Sequence, residues 1–217
     1  MNFEERSSPN VVTVTSKNIK SQGEQTQNDD NEMRSLNTWF NARKAAQVAA
    51  FFALQEDGLI NVLKLTKLIY LADRKHMEKY DYPILNDELV SMDHGPVNSM
   101  TYDFIAGYHE HKDWDEFITD RENHLVGLSK DISSNDLDEL SNAEIVTLEE
   151  TWGTFGHLGK YAIRDWTHEN CPEWEDPHGS SSPIPYERVY KFLGKKNAEQ
   201  LEENIRDHRA LSETFSC

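Results

Sequence analysis

Two short clusters in the chain carry side chains that could bind a metal ion. His109, His111 and Asp113 form the first cluster, and His168 and Cys171 form the second. A zinc site needs three or four such ligands, usually from two paired clusters, and neither cluster has an obvious second pair. We therefore expect these histidines to cap helices or lie on the surface, with no metal bound. A metal-dependent hydrolase remains an alternative, with candidate ligands His109, His111, His168 and His178.

Nucleophilic catalysis has little support in the sequence. His168 lies one helical turn before Cys171, but no third group is spaced to orient the histidine. Pro172 follows directly, so we expect Cys171 to end a helix rather than to act as a nucleophile. The chain has no G-x-S-x-G motif, and the glycine-rich stretch WGTFGHLGK does not continue as G-K-[ST]. We expect no enzyme activity and no cofactor.

The charge balance restricts the partners that the protein can bind. The chain has 39 Asp and Glu against 22 Lys and Arg, a net charge of -17. Such a surface repels nucleic acids and anionic membranes, because both are bound mainly through Lys and Arg. The stretch VLKLTKLIYLADRKH is locally basic and could belong to a winged helix, but it carries only a few charges. We expect a basic partner and no direct binding of nucleic acid or membrane; acidity that only maintains solubility stays an alternative.

Apolar residues at helical spacing predict two helices at the start of the folded region. The first lies in NARKAAQVAAFFALQEDG, with Gly58 as its stop signal. The second lies in INVLKLTKLIYLADRKHMEKYD, where a wide apolar stripe indicates a central helix that packs on more than one side. Lys64 and Lys67 lie on a different face of this second helix.

The stretch DYPILNDELVSMDHGPV breaks the helical period. Pro83 stops the helix, and the apolar residues after it suit a hairpin or short strands with a turn at Asn86–Asp87. Gly95 and Pro96 are predicted to rigidify a second turn, because glycine permits unusual backbone angles and proline fixes φ. Two residues could cap the next helix: Asn98 and Ser99.

The rest of the chain is predicted to be helical, apart from a short strand in NHLVGLS. Ser141 and Glu144 are spaced as a capping box, and a break near Gly156 separates that helix from a second one in KYAIRDWTHE. The last third is helical and strongly charged. The predicted fold class is therefore mainly α with a small β element (α+β), a compact helical domain with a short antiparallel hairpin or sheet.

Composition divides the chain into three parts. Residues 1–35 form a polar leader that we expect to be disordered, with VVTVT as a candidate docking strand. Residues 37–180 form the helical domain, and residues 181–217 form a helical extension packed on it. The N-terminus lacks the apolar segment of a signal peptide, no stretch is apolar enough to span a bilayer, and Cys171 and Cys217 make no disulfide framework. These features predict a cytoplasmic protein.

One long block resembles a known family. LKLTKLIYLADRKHMEKYDYPILNDELVSMDHGPVNSMTYDFI resembles the Panacea domain, also called SocA-like, of bacterial and phage antitoxins. The matching positions are Lys64, Leu65, Lys67, Leu68, Tyr70, Ala72, Asp73, Pro83, Ile84, Gly95, Pro96, Val97 and Tyr102. The stretch TWGTFGHLGKYAIRDWTHENCPEW is similar to a second part of the pattern, through His168, Pro172 and Trp174. The resemblance covers residues 60 to 176.

The resemblance implies a non-enzymatic antitoxin that binds and neutralises a cognate toxin by direct contact. The acidic charge suggests a toxin with a basic or nucleotide-binding surface. An adaptor that delivers its partner to a protease, or a phage regulator of a host protein, is the alternative. The leader stands where a DNA-binding domain would, which argues against transcriptional autoregulation.

The resemblance also selects candidate residues. Residues expected to be exposed and to contact the partner are Lys64, Lys67, Asp73, Arg74, Asp93, His94 and Tyr102. Residues expected to be structural are Leu65, Leu68, Tyr70, Pro83, Gly95, Pro96, Val97, His168 and Trp174. Some of the first group could instead act within the molecule, for example through an ion pair between Lys67 and Asp73 across the helix.

Overall fold

The computed structural model describes residue 37 and residues 39–215. The leader, its VVTVT stretch and Cys217 lie outside the described residues. The eight α-helices in the described part are α1 (Ala42–Gln55), α2 (Val62–Tyr80), α3 (Ser99–Ala106), α4 (Lys112–Asp115), α5 (Asn142–Phe155), α6 (Lys160–Asn170), α7 (Tyr186–Phe192) and α8 (Ala198–Phe215). The strands are β1 (Leu59–Asn61), β2 (Leu89–Met92), β3 (Gly95–Asn98), β4 (Leu125–Gly127) and β5 (Ser182–Pro183). The predicted class, mainly α with a small β element, is confirmed.

Helix α2 forms the centre of the molecule. It begins after Asn61, whose side chain accepts a hydrogen bond from the Leu63 amide, and it ends at Asp81 in a left-handed conformation. It packs against α1, α5, α6 and β3, as its wide apolar stripe predicts. Its fully buried apolar side chains are Leu65, Leu68, Tyr70, Ala72 and Met77. Elements on several sides therefore cover its polar face as well as its apolar one.

The strands form two small antiparallel sheets. β1 pairs with β4, with Ile60 opposite Val126. β4 is the strand predicted in NHLVGLS, but the sequence did not predict β1 as its partner. β2 lies between β3 and β5 in the second sheet, and Val90 is opposite Val97 in the β2–β3 hairpin. These sheets hold the start and the interior of α2, because β1 precedes the helix directly and β3 packs against it.

The prediction of a hairpin turn at Asn86–Asp87 is wrong. The turn of the hairpin lies at Asp93–His94, between β2 and β3. Asp87 is instead fully buried, and its carboxylate accepts hydrogen bonds from the amides of Met100 and Thr101 and from the Thr101 hydroxyl. Asp87 thus caps α3 from a distance, because the Asn98 side chain makes no capping hydrogen bond. A distant cap of this kind leaves no local pattern in the sequence.

The C-terminal half follows the predicted helices with one added break. Ser141 and Glu144 form the expected capping box of α5, and Gly156 ends that helix before α6 begins. The charged last third is interrupted after Phe192, which separates α7 from α8. The end of the chain also packs on the earlier part, because Tyr186 donates a hydrogen bond to the Asp87 carbonyl oxygen at 2.5 Å. The boundary at residue 180 stays a prediction.

None of the helices in residues 39–215 combines the length and the apolar character that crossing a membrane requires.

Candidate functional site

Three of the residues expected at an exposed partner surface are buried. Lys64, Lys67 and Asp73 are 7%, 0% and 1% exposed. The expectation of exposure is wrong for them because α2 is covered on several sides, so these three polar positions do not meet solvent. Each of these charged groups has a polar partner inside the protein, as buried charges require.

Lys64 joins the C-terminal ends of two other helices to the start of α2. Its ammonium group pairs with Glu56, which follows α1, and donates a hydrogen bond to the Gly156 carbonyl oxygen after α5 at 2.7 Å. The same group lies 4.9 Å from the centre of the Trp152 ring. Carbonyl oxygens at helix C-termini attract cations, so Lys64 stabilises the packing of these ends.

Lys67 connects α2 to the hairpin. Its Nζ donates a hydrogen bond to the Pro96 carbonyl oxygen at 2.7 Å, and burial lowers the pKa of this ammonium group from 10.5 to about 7. Gly95 is next to this contact and has a φ of 96°. A Cβ at position 95 would lie 3.1 Å from the Lys67 Nζ and 2.9 Å from the Thr167 hydroxyl. The sequence needs glycine here both for the backbone angle and for space.

Asp73 does not pair with Lys67, contrary to the alternative considered above. Its Oδ1 accepts hydrogen bonds from the amides of Ile84 and Leu85 at 2.7 and 3.0 Å. Its Oδ2 accepts one from the side chain of Asn98 at 2.6 Å. Burial raises the pKa of Asp73, while these three hydrogen bonds act in the opposite direction. Asp73 therefore holds the segment after α2 and the end of β3 in place.

Arg74 is half-buried and pairs with a residue that the sequence analysis missed. Its Nε donates to Oε1 of Glu173 at 2.6 Å, and the Tyr70 hydroxyl donates to the same oxygen at 2.8 Å. Glu173 is fully buried. It lies between Cys171 and Trp174 in the sequence, where no motif predicts its role. Burial, followed by the charge of Glu173, raises the pKa of the Tyr70 hydroxyl.

His168 and Trp174 form a stacked pair beneath the hairpin turn. Their ring centres are 4.0 Å apart and their planes differ by 4°. Trp174 Nε1 donates a hydrogen bond to the Met92 carbonyl oxygen at 2.9 Å, which ties the pair to β2. Burial and the nearby charge of Lys67 lower the pKa of His168. His168 thus stacks on Trp174, and the hydrogen bond of Trp174 connects the pair to the hairpin.

Cys171 and His111, two other residues that could take part in catalysis or metal binding, are also held in the fold. Burial, and then the charge of Glu173, raise the pKa of the Cys171 thiol to about 12, so the thiol stays protonated at neutral pH. Nδ1 of His111 accepts a hydrogen bond from the Asp113 amide and caps α4. No three His, Cys, Asp or Glu side chains of the described residues come together as a metal site.

One cleft brings together four of the seven candidate partner residues. It has a volume of about 510 Å³ and is lined by Lys67, Asp93, His94 and Tyr102, among others. Asp93 and His94 are exposed at the hairpin turn, whereas Tyr102 on α3 is half-buried. We call it the Lys67 cleft. Lys64, Asp73 and Arg74 do not line it.

The Lys67 cleft also contains residues that the sequence analysis did not select. These additional lining residues include Arg121, His124, Lys160 and Tyr161. They come from the loop before β4 and from the start of α6, which are distant in sequence from the hairpin. Neither segment has a motif that predicts this association; only the fold brings them together.

The comparisons with known proteins give one match. The family model described as "Antitoxin SocA-like, Panacea domain" matches residues 65–175, just over half of the chain. This range confirms the resemblance that the two sequence blocks predict. No curated protein and no solved structure matches the chain.

Proposed function

Because the chain belongs to the SocA-like, Panacea domain antitoxin family, we propose that it neutralises a cognate toxin by direct protein–protein contact. The family match over residues 65–175 is the observation that carries the proposal. The contact itself makes or breaks no covalent bond in this proposal, and it takes place in the cytoplasm.

We propose that the toxin contacts the exposed turn of the hairpin and the neighbouring α3. Asp93 and His94 are the exposed candidates there, and Tyr102 is partly accessible beside them. Two hydrogen bonds hold the hairpin from behind. Lys67 donates one to the Pro96 carbonyl oxygen, and the Trp174 indole donates the other to the Met92 carbonyl oxygen. A turn fixed in this way loses little conformational entropy on binding, which favours affinity.

The charge of the protein supports a toxin with a basic surface. The net charge of -17 speeds the approach of a positively charged partner and disfavours nucleic acid. A toxin that itself binds nucleotides or nucleic acid would have such a surface. Covering that surface would inhibit the toxin directly.

Co-expression with the product of the adjacent open reading frame tests the proposal. We expect this product to arrest growth alone, to be tolerated with the full-length chain, and to form a complex on gel filtration. His94→Lys should weaken the complex with a basic toxin, whereas His157→Lys should not, because His157 is also exposed but lies outside the hairpin. Absence of both rescue and complex would refute the proposal.

An activity assay with the purified toxin separates neutralisation from delivery to a protease. A neutralising antitoxin inhibits the purified toxin in a reaction that contains no protease. If toxicity falls only in cells with the protease, and the purified toxin keeps its activity in the complex, the adaptor function is correct instead.

A further inference from the structure

The Lys67 cleft is positively charged although the protein is strongly acidic. The cationic side chains of Arg121 and Lys160 line it, together with the imidazoles of His94 and His124 and with the buried Lys67, whose pKa of about 7 leaves it partly protonated at neutral pH. Asp93 is the one carboxylate among its lining residues, and its Oδ1 already accepts a hydrogen bond from the Gly179 amide at 2.8 Å. The local charge is therefore opposite in sign to the net charge of the chain.

The cations of the cleft lack acidic partners. Most Lys and Arg side chains of the described residues form an ion pair with Asp or Glu. Lys67, Arg121 and Lys160 form none within residues 39–215. Arg121 donates instead to Nδ1 of His124 at 2.6 Å. In a protein with such an excess of carboxylates, cations that meet in a cleft without an acidic partner favour the approach of an external anion.

The N-terminus of α6 adds to the positive potential. Lys160 and Tyr161 of its first turn line the cleft, whereas the Leu63 amide at the start of α2 already donates to the Asn61 side chain. The N-cap of α6 is Gly159, which supplies no side-chain hydrogen bond to the first turn. Free amides at the start of a helix and the helix dipole both favour a bound anion.

The size and the aromatic content of the cleft indicate more than a simple ion. Its volume of about 510 Å³ lies in the range of sites for small organic ligands. Tyr102 and Tyr161 line it, and Tyr161 is 57% exposed. The cations of Lys160 and Arg164 lie over the Tyr161 ring, 5.1 and 5.0 Å from its centre. Tyr161 thus holds cations at the cleft, and Tyr102 adds an aromatic side chain against which a planar group that carries a phosphate can pack.

We propose that the Lys67 cleft binds a small phosphate ester with an aromatic base, of the size of a nucleotide. Its phosphate meets the cations and the N-terminus of α6, and its base packs against the tyrosines. This ligand site goes beyond the proposed antitoxin function and requires no toxin.

Calorimetric titration of the purified full-length protein tests the proposal. The probes are AMP, ADP, GMP, GDP and UMP in 50 mM salt, with adenosine and inorganic phosphate as the two halves of the ligand. We expect at least one nucleotide to bind at least tenfold more tightly than either half, because both halves contribute. Raising the salt concentration should weaken binding, as it does for phosphate held by Lys and Arg.

Matched variants locate the site. Arg121→Gln with Lys160→Gln should weaken nucleotide binding at least tenfold, since each substitution removes a charge-assisted contact. Lys112→Gln with Lys196→Gln removes the same charge from two exposed, unpaired lysines outside the cleft and should leave affinity unchanged. Circular dichroism of both double variants should match the wild type.

Several results would overturn the proposal. No binding of any of the five nucleotides at millimolar concentration would do so, and so would equal affinity in the Arg121/Lys160 variant. Inorganic phosphate binding as tightly as the nucleotides would exclude the aromatic base. Tighter binding of an acidic peptide such as hexaglutamate would assign the cleft to a protein segment instead. None of these results bears on whether the chain neutralises a toxin.

Discussion

The buried ammonium group of Lys67 donates a hydrogen bond to the Pro96 carbonyl oxygen, 2.7 Å away. This contact joins the centre of α2 to β3, and it lies directly beside Gly95. It gives a physical reason why the lysine and the G-P-V stretch occur together in the sequence block. The glycine leaves room for the ammonium group, and the ammonium group satisfies the carbonyl oxygen of the next residue.

The buried lysine should make stability depend on pH. Its pKa is about 7 in the folded protein and 10.5 as its ordinary value, so the unfolded chain binds more protons between these pH values. Stability relative to Lys67→Met should therefore rise by about 2 kcal/mol from pH 7 to pH 9. Urea unfolding of both proteins at the two pH values measures this difference.

Lys196→Met is the control for this prediction, because Lys196 is exposed and forms no ion pair in the described residues. Its unfolding free energy should follow that of the wild type across the same pH range. Parallel pH dependence of the wild type and the Lys67 variant would show that Lys67 is not buried as described.

Gly95→Ala should be more destabilising than an alanine at another glycine with positive φ. Gly107 has a φ of 80° and no neighbour within 4 Å of a Cβ, so Gly107→Ala adds backbone strain alone, about 1 kcal/mol. Gly95→Ala adds contacts with Lys67 and Thr167, and we expect a total loss above about 2 kcal/mol. Equal losses by chemical denaturation would mean that the space around Gly95 has no role.

Removing the buried charge of Glu173 should be costly. Glu173→Gln leaves the half-buried guanidinium of Arg74 without its anion, and breaking such a pair costs about 3 kcal/mol. Glu175→Gln is the matched control, because its ion pair with Arg188 is at the surface and contributes less than about 1 kcal/mol. Thermal and urea unfolding would both detect the difference; similar losses in the two variants would contradict it.

The distant cap of α3 can be tested in the same way. Asp87→Asn weakens the hydrogen bonds from the Met100 and Thr101 amides, and we expect a loss of about 2 kcal/mol. Asp136→Asn changes an exposed capping carboxylate and should be less destabilising. Hydrogen exchange of the α3 amides should accelerate in the first variant only; unchanged exchange would exclude the cap.

The helices with strong local signals were predictable from the sequence. The apolar stripe of α2, the capping box at Ser141 and the break at Gly156 all depend on neighbouring residues, and the structure shows each of them. The hairpin turn was misplaced because Asn86–Asp87 has good turn residues. A local pattern does not reveal that the Asp87 side chain is needed 13 residues later.

The candidate site was harder to predict because burial is a property of the whole fold. Lys64 and Lys67 have the spacing of a solvated helix face, and only the packing of other elements around α2 shows that they are buried. Arg121 and Lys160 were overlooked for the converse reason. No sequence motif marks them, and they are candidates only because the fold brings both to the Lys67 cleft. Charge patterns along the chain do not identify unpaired cations.

The pairing of β5 with β2 also determines where the protein can be shortened. Ser182 and Pro183 lie beyond the matched range, yet they cover one side of β2 opposite Ser91 and Val90. A fragment cut after residue 175 would present the bare backbone of β2 to other molecules, and an uncovered strand of this kind promotes aggregation. In the intact chain the outermost strand contains a proline, which has no amide hydrogen to offer a further strand. We therefore expect the C-terminal segment to limit self-association through β2.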